Sequence, residues 1–143
     1  MAVKRISPNE ALALLDEGYT YLDVRSVPEY QQGHPRGAQN VPLMHAGPGG
    51  MAPNAHFLAV AEANFPKDAK LVVGCKTGGR SQQAAAVLSS LGFTSVVDVQ
   101  GGFSGMRDPF GRVTAEGWAD AGLPVAKAAD PGKSYADLLE KIR

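Results

Sequence analysis

Residues 70 to 99 set two five-residue β-branched runs, KLVVG and SVVDV, on either side of a helical stretch from Ser81 to Leu91 that Gly92 closes. Runs of that length, bounded by charge and glycine, read as buried strands. Two strands joined through a helix pair in parallel by a right-handed crossover, and this predicts an open α/β sheet.

The rest of the chain extends the alternation. Ser7, Pro8 and Glu10 supply a helix N-cap, a proline at the first helical position and a capping-box partner; Leu12, Leu14 and Leu15 give the apolar face and Gly18 the stop. TYLDV (20–24) reads as a short buried strand, and PEYQQGHPRGAQNVPL as a helical turn, a loop and a second strand around Val41 to Leu43. MHAGPGGMAPN is rich in glycine and proline and is expected to be loop. A helix is expected from about Ala55 to Phe65. After GLPV, AKAADPGKS resembles a linker, and SYADLLEKIR gives a capped amphipathic helix with Tyr135, Leu138, Leu139 and Ile142 on one face.

Size and charge then narrow the classes of function. A chain of 143 residues is the size of one domain. Fourteen basic and fourteen acidic side chains cancel, so no global field recruits nucleic acid or a membrane surface. No apolar run approaches the ~20 residues a membrane span requires. The opening MAVKRISPNEALALLDEG reads as strand and helix rather than a signal peptide. One cysteine forms no internal disulfide. Together these features give the expectation of a cytoplasmic protein.

That cysteine sits where an α/β sheet binds ligands, beyond the carboxyl end of a strand. Cys75 is followed by Lys76, Thr77, Gly78, Gly79 and Arg80, and then by a helix. The two glycines permit positive φ and close backbone approach. Successive amides in such a turn form an anion nest, to which the helix N-terminus adds partial positive charge. A helix N-terminus and nearby cations favour a thiolate. The competing reading is a buried structural cysteine.

Three blocks in order resemble a known family: YLDVRSVPEYQQGHPRGAQNVPL, then VVGCKTGGRS, then GGFSGM, with WADAGLPV at the close. The chain resembles the single-domain rhodaneses, the sulfurtransferase family found in plants and bacteria, over roughly residues 3 to 126. The resemblance implies a rhodanese domain at 1–126, an open parallel sheet with helices on both faces, with the linker and terminal helix at 127–143. It also implies that Cys75 accepts a sulfur atom as a persulfide and that the amides of Lys76 to Arg80 cradle it. No metal or organic cofactor is implied. The partners implied are a small anionic donor such as thiosulfate and an acceptor: cyanide, a thiol or a protein. Cysteine phosphatases and arsenate reductases of related fold carry one more residue between cysteine and arginine, whereas four separate Cys75 from Arg80 here. A non-catalytic interaction module is the other alternative, although inactive members commonly lack the cysteine or the glycine-rich loop.

Around that loop several roles stay open. Lys76 either recruits an anionic donor or is a solvated cation. Arg80 either contributes field or pairs with a carboxylate such as Asp23. Asp23 and Arg25 flank Val24 and share one side of the chain; they brace the loop or meet substrate, and Glu29 caps or pairs locally. His34 reads as a loop hydrogen-bonder rather than a base. His45 and His56 are assigned no role. The segment 107–118 either borders the active-site mouth through Phe110 and Arg112 or decorates the surface around a core Trp118.

Overall fold

The computed structural model describes residues 3–143; the first two residues of the opening stretch lie outside them. Five parallel strands form the central sheet: β1 (Lys4–Ile6), β2 (Thr20–Asp23), β3 (Gln39–Asn40), β4 (Lys70–Gly74) and β5 (Ser95–Val99). Their spatial order is β1-β5-β4-β2-β3. KLVVG is therefore the middle strand, and the flanking pairs run Tyr21 beside Val72 and Val73 beside Asp98.

Strand alternation divides the core into two layers. Leu22, Leu71 and Val73 point to one face, which is covered by α3 (Phe57–Asn64), α4 (Gly79–Ser90) and α5 (Tyr135–Leu139). Tyr21, Val72 and Val99 point to the other, where α1 (Pro8–Asp16) and α2 (Val27–Gln32) pack through Ala11 and Tyr30, together with Trp118. Helices thus lie on both faces of an open parallel sheet, as expected. Trp118 is 1% exposed, meets Tyr21 edge-on and donates from Nε1 to Pro124 O at 2.8 Å.

The caps explain the helix starts. Ser7 Oγ accepts from Glu10 N at 3.1 Å while Glu10 Oε1 accepts from Ser7 N at 3.0 Å, the reciprocal box read from the sequence. At α5, Ser134 Oγ accepts from Asp137 N, and Tyr135 and Leu138 are buried in the first core layer. The apolar stripe of the terminal helix is therefore packed on the body of the protein.

Two expectations are corrected. The Gly/Pro stretch is not loop: Met44–Gly47 and Gly50–Pro53 form an antiparallel ribbon that turns at Pro48 and Gly49. Glycine composition marks the turn but hides the ladder, because ribbon residues largely open to solvent show no apolar alternation. The strand expected at Val41 to Leu43 lies earlier, at Gln39–Asn40. Beyond it, Val41 N and Leu43 N still bond to Asp23 O and Val24 O, so the backbone keeps following β2. Helix bounds shift slightly: α3 is shorter than Ala55 to Phe65, and α4 begins two residues before Ser81.

Candidate active site at the Cys75 loop

The strand β4 ends in a glycine for a packing reason. A Cβ at Gly74 would coincide with the Tyr21 hydroxyl and lie 2.9 Å from its Cε1. The next residue, Cys75, is 2% exposed and emerges at the carboxyl end of the middle strand. Gly78, at φ +118°, turns the chain into α4 and aims its N–H at Cys75 Sγ, 3.1 Å away. A side chain at Gly78 would be strained by that φ and would meet Arg5 Nη2 at 2.6 Å. Among the described residues, the amides of Thr77, Gly79 and Arg80 make no hydrogen bond. The thiol thus lies under a helix N-terminus with unspent donors.

A second turn clamps the loop from beneath. GGFSGM carries Gly101 at φ +82° and Gly102 at φ +53°. Phe103 N donates to Cys75 O at 2.7 Å, and Ser104 N to Lys76 O at 2.8 Å. These bonds fix the two carbonyls that precede the amide-rich turn.

The charges resolve into matched pairs. Arg80 makes a two-pronged pair with Glu29, Nη1 to Oε1 at 2.7 Å and Nη2 to Oε2 at 2.9 Å. It does not pair with Asp23, the carboxylate the sequence suggested. Asp23 is instead taken by Arg25, whose Nη2 lies 2.7 Å from Oδ2 and whose backbone N donates to Oδ1 at 3.0 Å. The same guanidinium donates to Gly33 O at 2.6 Å and lies 4.5 Å from the centre of the Phe103 ring. Asp23 and Arg25 do share one side of the chain, with Val24 turned to the core. Glu29 also accepts from Ser26 N and Oγ, capping α2. Burial pushes the Glu29 carboxyl up, but the bonds from Arg80 and Ser26 outweigh it and bring it down to about 2. The Glu29–Arg80 pair raises the Arg80 guanidinium in turn.

Lys76 is different. It is exposed, and among the described residues it has no carboxylate partner. It lines a cleft of about 230 Å³ together with Arg25, Glu29, Gln32, Phe103 and Ser104. The cationic loop read from the sequence therefore contains one neutralised arginine and one free lysine.

Three further residues, none singled out in the sequence, form a network behind the sulfur, and of them Ser81 touches it. Ser81 Oγ accepts from Cys75 Sγ at 3.5 Å and donates to Asp98 Oδ1. Arg5 Nε lies 2.7 Å from Asp98 Oδ2, an ion pair too far off-line to be a hydrogen bond, and Arg5 Nη2 donates to Gly78 O at 3.1 Å. The available signal was Asp98, a lone carboxylate inside the apolar run SVVDV.

The remaining histidine and insertion readings find plain structural answers. His34 is buried, stacks on Tyr30 at 3.7 Å and bonds through Nδ1 to Tyr30 O. The segment after GGFSGM forms a small ribbon, Met106–Arg107 with Val113–Ala115, whose tip leaves Phe110 85% exposed. Neither Phe110 nor Arg112 lines the cleft at Lys76.

The chain has relatives among known proteins. Residues 7–108 match the model of the rhodanese-like domain. Thiosulfate sulfurtransferase 16, chloroplastic, of Arabidopsis thaliana is 41% identical over 120 residues, 84% of this chain and 90% of that protein. Thiosulfate sulfurtransferase GlpE of Pseudomonas entomophila (strain L48) is 37% identical over 117 residues, 82% of this chain and 96% of that protein. The crystal structure of Rv0390 from M. tuberculosis superposes with a TM-score of 0.75 at 28% identity, covering 90% of this chain and all of that one.

Proposed function

Because this chain belongs to the rhodanese-like domain family, we propose that it is a sulfurtransferase that carries a sulfane sulfur on Cys75, taken from thiosulfate or a similar small anionic donor. The observation that carries this reading is the Gly78 N–H aimed at a thiol beneath the start of α4. In the first step the Cys75 thiolate attacks the outer sulfur of thiosulfate. A new S–S bond forms, the bond to the sulfonate sulfur breaks, and its electron pair leaves with sulfite. The terminal sulfur of the resulting persulfide is anionic. Preorganised amides at the start of α4 stabilise it as they would an oxyanion, without reorganisation during the reaction. In the second step cyanide or a thiol attacks that outer sulfur and the thiolate is returned.

The tightness of the turn supports sulfur over phosphate. Four residues between Cys75 and Arg80 suit one added sulfur, and Arg80 is turned aside to Glu29 rather than held free for an oxyanion. The native protein, assayed on both substrates, is expected to form thiocyanate from thiosulfate and cyanide and to hydrolyse aryl phosphate negligibly. Robust phosphatase turnover without thiocyanate would overturn the assignment.

Recognition of the donor's charge falls to Lys76, since Arg25 and Arg80 are already matched. Lys76→Ala is expected to raise KM for thiosulfate by about fivefold at low ionic strength, the scale of an exposed charge contact, and by less as salt rises. A less charged donor should be affected less. Equal losses on both donors at every salt concentration would show that the substitution had damaged the loop instead.

A further inference from the structure

We propose that Ser81 and Asp98 form a relay that takes the Cys75 thiol proton and holds it on the Asp98 carboxyl while Cys75 carries sulfur. Three elements bring the groups together: Cys75 follows β4, Ser81 lies in the first turn of α4, and Asp98 sits in β5 opposite Val73. All three are buried, at 2%, 0% and 1% exposure. A carboxylate so placed is costly to bury unless its oxygens are matched. The Ser81 hydroxyl bonds Oδ1, while Oδ2 has the Arg5 charge beside it but no hydrogen bond among the described residues.

The direction of the bonds makes this more than bracing. With Asp98 ionised, Ser81 gives its proton to Oδ1 and is left to accept from the thiol, an arrangement that holds Cys75 as S–H. Gly78 O, 3.2 Å from Ser81 Oγ, is a second acceptor and offers sulfur no donor. Ser81 turns to donate to a thiolate when Asp98 has a proton to offer in return. Both changes occur in one shift. The S–H bond breaks as its proton passes to Ser81 Oγ, and the Ser81 O–H bond breaks as its proton passes to Asp98 Oδ1. One negative charge moves from Asp98 to Cys75 and the total is unchanged. The thiolate is then held by two donors, Gly78 N–H and Ser81 O–H.

The surroundings permit that exchange. Burial raises the proton affinity of Asp98, although Ser81 and Arg5 pull the other way. Among the described residues, the other charged or titratable groups around the sulfur are Lys76 on the loop, Arg80 on α4, Arg5 on β1, and Tyr21 and Asp23 on β2. Arg80 and Asp23 are engaged by Glu29 and Arg25. The mobile proton is therefore left to the Cys75–Asp98 pair.

The role in turnover rests on the sulfur-transfer reading, but alkylation of Cys75 by iodoacetamide requires no sulfur donor and tests the relay by itself. A pair sharing one proton keeps a constant thiolate fraction across the pH range between its two titrations. The native alkylation rate is expected to level off there as pH falls. In Asp98→Asn the rate should instead drop about tenfold per pH unit, as for an isolated thiol. Ser81→Ala should lower the plateau by about tenfold or more. Infrared difference spectra of the native protein on thiosulfate loading should show a protonated-carboxyl stretch that Asp98→Asn lacks. A persulfide detected by mass without that band would overturn the relay, whereas no persulfide at all would overturn the sulfur-transfer reading. A native alkylation profile without a plateau, or variants that lose stability yet keep the plateau, would also overturn it, and the native profile decides even if a variant fails to fold.

Discussion

Cys75→Ser is expected to leave the fold intact and to reduce thiocyanate formation to background, a loss on the order of 10⁴-fold or more. Serine is close to isosteric, and its hydroxyl can accept the Gly78 N–H and donate to Ser81 as the thiol does. Its alcohol oxygen cannot hold a transferable sulfane sulfur. Intact mass after thiosulfate treatment should show one added sulfur on the native chain, removable by cyanide or dithiothreitol, and none on the variant. A melting temperature within about 3 °C of native would confirm that the thiol and not the core was removed. Thiocyanate production at the native rate by the variant would exclude Cys75 as the carrier.

The strands that proved most legible are those whose local chemistry and final environment agree. KLVVG and SVVDV are buried, β-branched and flanked by breakers, so periodicity and packing give the same answer. Ser7 and Glu10 close their box within a single turn of chain, and nothing distant is needed to form it. The ribbon at 44–53 lacked that agreement. Gly47 faces Gly50 at the end of the ladder next to the turn, and neither residue carries a side chain that would advertise a strand.

The same division runs through the site. Cys75 and the glycine turn are contiguous, and their placement at a strand's carboxyl end follows from local order. The partner of Arg80 is 51 residues away in sequence, so the chain pointed to a carboxylate but not to Glu29. Asp98 and Arg5 meet because β1, the first strand, lies at the sheet edge beside β5, the last. Strand order is a tertiary outcome that no periodicity encodes, and the Ser81–Asp98–Arg5 network became visible only once that order was known.

The GGFSGM turn gives the second large effect. Gly102→Ala is expected to destabilise the protein by about 3 kcal/mol, roughly 10 °C in melting temperature for a chain of this size, and to cut sulfur transfer more than stability alone explains. A Cβ at Gly102 would run into the Cys75 carbonyl oxygen and lie 2.8 Å from Cys75 C and 2.9 Å from Lys76 C. Those atoms are backbone, so no rotamer relieves the clash. The φ of +53° adds strain for any L side chain. Relief requires the Cys75 loop to lift away, which stretches the Phe103 N–Cys75 O and Ser104 N–Lys76 O bonds and shifts the Gly78 amide relative to the sulfur. Gly111→Ala is the matched control: φ is +81°, but among the described residues nothing lies within 4 Å of the added carbon. It should cost about 1 kcal/mol of strain and leave sulfur transfer unchanged. If the two variants melted together and turned over alike, the second turn would have no part in positioning the loop.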